Sequence, residues 1–242
     1  MHEDDVVAIT QIEDHHWWYR ERRSIIAREL KTFAQPGDAI EIGAAGGGNS
    51  LTVKQCGWNV LATEYSDAGV RIARQRGLNA VHADARKLPV ENESMDLAVA
   101  FDVLEHIEED NVAAAELFRV LRPGGTALIA VPCDMELWSV HDEHQFHHRR
   151  YSKDELHALM TGAGFEIEKL WSWNVLLRPV VKMRRSKASL DDTKGDVDAV
   201  PPLVNVGLGM IVKLERYLPV RNLPGVSLMM RARKPQAAPI PA

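Results

Sequence analysis

Short apolar runs alternate with amphipathic stretches along most of the 242 residues. Runs at residues 39–43, 59–64, 80–84, 95–101, 126–132 and 165–173 are rich in Val, Ile, Leu and Ala and are bounded by Gly, Pro, Asn or Asp. That pattern predicts strands buried on both faces. Between them, residues 67–76, 105–121 and 153–161 carry apolar side chains at helical spacing, as in Val112, Leu117, Val120 and Leu121. Arg122-Pro123-Gly124-Gly125 is expected to stop the second of these helices, and Ser152 with Glu155 forms a capping box for the third. Strand, helix, strand, helix in this order predicts a doubly wound, mostly parallel sheet with its ligand at the carboxyl edge.

Both ends depart from this rhythm. The first dozen residues are polar and are expected to be loose. Residues 15–34 read as an amphipathic cap helix ahead of the sheet, with Trp18, Ile25, Ile26, Leu30 and Phe33 on one face. Two uses of its Trp17-Trp18-Tyr19 run stay open: stapling the helix to the domain, or closing over a ligand. Near the other end, a long connection at residues 174–224 interrupts the sheet before a last strand at 225–233. It holds an apolar-basic segment at 175–185, an Asp-rich linker at 186–199 and an amphipathic helix at 203–218. We read it as a helical insertion within one domain spanning 1–242, acting as a lid or a dimer face, and residues 235–242 as a disordered Pro/Ala tail.

Composition narrows the partners. The net charge of −5 argues against a basic surface for holding phosphates, so no nucleic-acid partner is expected, although a local basic patch stays open. Cys56 and Cys133 read as reduced apolar residues. The acidic start has no apolar core behind it, and no run approaches the roughly 18 residues of a membrane span, so a cytoplasmic protein is expected.

The candidate chemistry centres on residues 39–50, where an apolar strand ends in Glu41-Ile42-Gly43-Ala44-Ala45-Gly46-Gly47-Gly48 and a helix begins. Glycines there let a nucleotide approach the backbone, and the helix start presents free N–H groups. Glu64 ends the second strand about 20 residues later, where a doubly wound fold sets an acid on ribose hydroxyls. Asp84 and Asp102 end the third and fourth strands at the same edge.

These residues resemble the class I S-adenosylmethionine (SAM)-dependent methyltransferases. Glu41 to Gly47 is similar to the family's acid-x-Gly-x-Gly-x-Gly motif, with Ala45 at its central glycine, a position alanine fills where φ is negative. Phe101 to Ile107 and Leu121 to Gly125 are similar to two further signatures, and the likeness covers about residues 15–172. The resemblance implies a Rossmann-like α/β fold of seven strands, mostly parallel with an antiparallel last strand, and SAM as cofactor. It implies cofactor contacts at Glu41, Gly43, Ala45, Gly47, Glu64 on the ribose, Tyr65, Asp84 near the adenine amino group, Ala85, Phe101 and Trp18. The His-Trp-Trp-Tyr-Arg segment and the His-rich loop also resemble a bacterial subgroup whose acceptors are small metabolites or glycan and lipid precursors.

An oxygen acceptor calls for a general base, and histidine suits neutral pH. The loop at 138–151 offers His141 and His148, with Asp142 able to orient a histidine, and Asp102 and His106 stand in reserve. No metal site is assigned. A cluster of His141, Asp142, His144 and His148 holding Zn²⁺ or Fe²⁺ is the minor alternative. The expected function is methyl transfer to an oxygen of a small molecule, with a glycan- or lipid-linked acceptor and a homodimer through the insertion as options that the sequence leaves open. An NAD-dependent oxidoreductase and a non-catalytic SAM-binding protein are the competing readings.

Overall fold

The computed structural model describes residues 3–33, 35–187 and 200–236. Seven strands form one sheet: β1 (Asp38–Ile42), β2 (Asn59–Glu64), β3 (Asn79–His82), β4 (Met95–Phe101), β5 (Leu121–Pro132), β6 (Glu166–Trp173) and β7 (Ser227–Arg233). Their spatial order is β3-β2-β1-β4-β5-β7-β6. The pairs among β1 to β5 are parallel, and β7 runs antiparallel to both β5 and β6. This is the Rossmann-like α/β sheet that the strand pattern predicts, with β1 and β4 side by side at its centre.

The period-two alternation of the strands divides the core into two layers. On one face, Ala98, Ala100, Ile129 and Val131 pack with Leu117 and Val120 of α5 (Asp110–Val120) and Leu156 and Met160 of α7 (Lys153–Gly162). On the other, Leu97, Val99, Phe101 and Leu128 pack with Ile25, Ile26 and Leu30 of α2 (Trp17–Leu30) and Val53 of α3 (Gly48–Gln55). Both faces are covered, so the central strands read as unbroken apolar runs.

Two local expectations are corrected. Residues 3–12 are not loose: α1 (Glu3–Ile12) packs on α4 (Asp67–Gln75), with Val6 buried. Arg76 fastens this helix to the glycine-rich loop by bonding Glu13, the Gly46 carbonyl (3.0 Å) and the Thr10 carbonyl (3.2 Å). The helix expected at 105–121 splits into a single 3-10 turn, Leu104–His106, and α5, because the Glu105 and His106 side chains turn inward. Arg-Pro-Gly-Gly follows the end of α5 at Val120, as expected, and itself belongs to β5. Leu121 already pairs with Met95, and the Gly124 amide donates to the Lys234 carbonyl at 2.8 Å.

The insertion contributes α8 (Arg178–Lys187) and α9 (Pro202–Leu214), and α6 (Val140–His144) lies in the loop after β5. Three basic residues of α8 are engaged in ion pairs: Arg178 with Asp134, Lys182 with Glu136 at 2.6 Å, and Arg185 with Asp142 at 3.1 Å. Most of the Asp-rich linker and of the tail lies outside the described residues. Among the described residues, no helix is long and apolar enough to cross a membrane.

Candidate cofactor and acceptor site

The loop after β1 turns sharply. Gly43 sits at φ +67°, and a Cβ there would stand 2.4 Å from a Val103 methyl, so both conformation and space require glycine. Ala45 has φ +46°, contrary to the negative value expected of an alanine. What holds it there is Glu64. Its Oε2 accepts the Ala45 amide at 2.8 Å, and its Oε1 accepts the Ser66 amide at 2.8 Å. Gly47 caps α3 at φ +86°.

Glu41 lies beneath this loop rather than beside it. It is 1% exposed and accepts a hydrogen bond from Ser50, and its backbone carbonyl accepts the Thr63 hydroxyl. Burial pushes its carboxyl up to about 7, against the pull of Ser50 and Asn49. Asp84 is clasped by Arg86, which also pairs with Glu109 at 2.9 Å. Bonds from Arg86 keep the Asp84 carboxyl below its usual range. Ala85 packs at the edge of the core, while Tyr65 is 70% exposed with its ring 5.4 Å from that of His82.

At the end of β4 the chain adopts another left-handed residue, Asp102 at φ +55°, whose amide donates to the Ala130 carbonyl. Its carboxylate pairs with Arg22 of α2. Arg22 in turn lies 5.2 Å from the Tyr19 ring centroid and 6.0 Å from that of Phe101. The cap helix therefore reaches the carboxyl edge through Tyr19 and Arg22. Trp18 packs against Trp173 with ring centroids 4.5 Å apart and planes tilted by 49°, the kind of contact a staple makes.

The loop after β5 is organised by Asp142, which is fully buried. It accepts the Ser139 amide at 3.0 Å, Arg150 at 2.7 Å, Arg185 at 3.1 Å and the His147 ring at 2.8 Å. Burial alone would raise its carboxyl. The His147 bond and the two guanidiniums outweigh burial and hold it well below the ordinary carboxylate range. Asp142 thus orients a histidine, but that histidine is His147, which the sequence reading passed over in favour of His141 and His148. His148 is exposed and meets Glu105 only through its backbone amide, at 2.7 Å. His141 is half-buried, with its ring 6.3 Å from that of His147. Burial, with His147 beside it, drives the His106 imidazole down to about 3. The distinguishing signal for His147 lay in its five-residue spacing from Asp142, which has no meaning until α6 brings the two together.

Comparison with known proteins agrees with this architecture. Residues 40–129 match the methyltransferase domain family. A probable S-adenosylmethionine-dependent methyltransferase of Mycolicibacterium smegmatis is 29% identical over 165 residues, 66% of this chain and 64% of that protein. The chain thus spans less than two thirds of that relative's length. A ubiquinone biosynthesis O-methyltransferase of Hahella chejuensis is 27% identical over 50% of this chain and 58% of its own. Among solved structures, a SAM-dependent methyltransferase of Thermotoga maritima, a possible histamine N-methyltransferase, superposes with a TM-score of 0.62. At 18% identity it shares the fold, over 96% of this chain and 95% of its own. The domain matched at residues 40–129, the motif series along β1 to β5 and the sheet order with its antiparallel β7 make the chain similar, in sequence and in fold, to the class I S-adenosylmethionine-dependent methyltransferases.

Proposed function

We propose that the protein moves the methyl group of SAM to an oxygen atom of a small-molecule acceptor. Glu64 carries the cofactor half of this reading. A carboxylate has about four lone-pair directions. Two backbone donors occupy one on each oxygen, which leaves acceptors for the vicinal hydroxyls of a ribose. The backbone of Gly43, Ala45 and Gly47 curves around that point, with Tyr65, Asp84, Ala85 and Phe101 as further contacts. Glu41 and Trp18 act from behind, by supporting the loop and the cap helix. The bound cofactor supplies an electrophilic methyl group, and the chain supplies position and proton handling.

The oxygen assignment draws on the O-methyltransferase named among the relatives and on the histidine-rich loop. Of the four acid–base candidates, we assign the base to His141. His106 is too weakly basic to take a proton near neutral pH, His148 faces solvent, and Asp102 is committed to Arg22. Calorimetric titration with S-adenosylhomocysteine tests the cofactor half. Wild type should bind, and Glu64→Gln should bind at least about tenfold more weakly, about 1.4 kcal/mol. Absence of binding to wild type would end the reading, and equal affinities would remove Glu64 from it. Labelled SAM with hydroxylated acceptors then tests the oxygen assignment, and His141→Gln should lower kcat more than it changes KM.

A second observation bears on the acceptor. Leu203, Val206, Met210 and Leu214 form one stripe along α9 and are 89%, 57%, 62% and 51% exposed. A stripe of this kind on a soluble surface marks an interaction site. We assign it to the membrane surface on which a lipid-linked acceptor would be presented. Flotation with phospholipid vesicles should carry the wild type and not the Val206→Asp/Met210→Asp variant. A concentration-dependent dimer that the same variant dissolves would replace the lipid reading with self-association.

A further inference from the structure

Behind the Arg22–Asp102 pair lies a group of side chains that the methyl-transfer reading does not use. Glu105 is fully buried, and neither oxygen of its carboxyl has a hydrogen-bond partner. Its backbone carbonyl is satisfied by His148, so the deficit belongs to the side chain alone. A buried carboxyl without a donor is costly in either protonation state, and the next residue carries a second buried atom in the same condition, Nδ1 of His106. The rings of His106 and His147 meet edge to face with centroids 4.6 Å apart. Nδ1 of His147 is held by Asp142 at 2.8 Å. Against an ionised Asp142 that nitrogen carries the proton, and Nε2 is left as the lone pair.

One ligand atom from each of Glu105, His106 and His147 lies within 4.8 Å of the other two. Bonds of about 2.1 Å to a tetrahedral ion need ligand atoms about 3.4 Å apart. Side-chain rotations of the order of 1 Å close that gap. We propose that Glu105, His106 and His147 form a binding site for a divalent first-row transition ion, of the class represented by Zn²⁺. Two imidazoles and one carboxylate are a donor set that Zn²⁺ and Fe²⁺ accept and that leaves coordination positions open. Asp142 completes the arrangement as a carboxylate–histidine–metal relay, fixing the tautomer and aim of His147. The cluster displaces the alternative drawn from the sequence. Asp142 is taken up by Arg150, Arg185 and His147, while His144 and His148 are exposed.

The site stands independently of methyl transfer and is tested without cofactor. The full chain, stripped with chelator, would be titrated with ZnCl₂ by calorimetry and with CoCl₂ by visible absorption. The expected result is one equivalent bound, with cobalt bands of a nitrogen–oxygen site. Affinity should fall at least tenfold in Glu105→Gln and in His147→Asn and stay unchanged in the exposed control His144→Gln. Unaltered affinity in folded Glu105→Gln and His147→Asn proteins would assign the ion to surface histidines and overturn the site. So would the lack of saturable binding to wild type. Should the variants fail to fold, X-ray absorption of the zinc-loaded wild type decides, since two imidazoles and one carboxylate at about 2.0–2.2 Å are required.

Discussion

Arg22 and Asp102 stand 80 residues apart in sequence and form a salt bridge at the carboxyl edge of the sheet. The arginine is the more enclosed partner, with 11% of its side chain exposed against 31% for the aspartate. Through this pair the cap helix is joined to the strand end on which an acceptor would dock. It also pins Asp102 at its left-handed backbone angle, which costs a non-glycine residue about 1–2 kcal/mol.

Arg22→Met should therefore lower stability by about 1–3 kcal/mol, because the partly buried carboxylate loses its partner. Thermal unfolding measures this. Cofactor affinity should change less than acceptor KM, because Arg22 touches the β4 end and not Glu64.

Ala45 makes the opposite prediction. At φ +46° its methyl group is a liability that glycine lacks. Ala45→Gly should stabilise the protein, or at worst leave it unchanged, with a gain of up to about 1 kcal/mol once the added freedom of the unfolded chain is subtracted. Ala45→Val should lose stability and S-adenosylhomocysteine affinity together. Melting and titration of the two variants side by side check both signs.

Glu41 should give the protein a pH-dependent stability. Its carboxyl keeps its proton to about 7 when folded, against an ordinary 4.5. The folded state then holds the extra proton between these values. The contribution is fully present below pH 4.5 and lost as pH rises through about 7. Glu41→Gln keeps a neutral side chain of the same shape. Relative to wild type it should gain on the order of 2 kcal/mol between pH 5 and 8, read from denaturant midpoints at each pH.

Asp142 should be the most sensitive carboxylate of the loop after β5. Removing its charge leaves Arg150 buried without its counter-ion and frees His147. Asp142→Asn should cost about 3–5 kcal/mol. It should also expose residues 138–151 to proteolysis before the sheet unfolds, which limited digestion followed by mass spectrometry would detect.

What the sequence determined was everything that repeats. Buried strands alternate in period two, helices in period 3.6, and glycines and acids cluster at strand ends. Those regularities are local, so the sheet, the glycine-rich loop and Glu64 were all legible before any coordinates. The tertiary structure decided what depends on residues far apart in the chain. Ala45 is left-handed because Glu64, 19 residues away, grips its amide. The first helix is ordered because Arg76 reaches back to Glu13 and Gly46. Four histidines lie within eight residues, of which the sequence pointed to His141 and His148. Packing separates them, because burial and the Asp142 carboxylate select His147 and turn it toward Glu105 and His106. A side chain's basicity, tautomer and partner are properties of its enclosure, and enclosure exists only once the chain has folded.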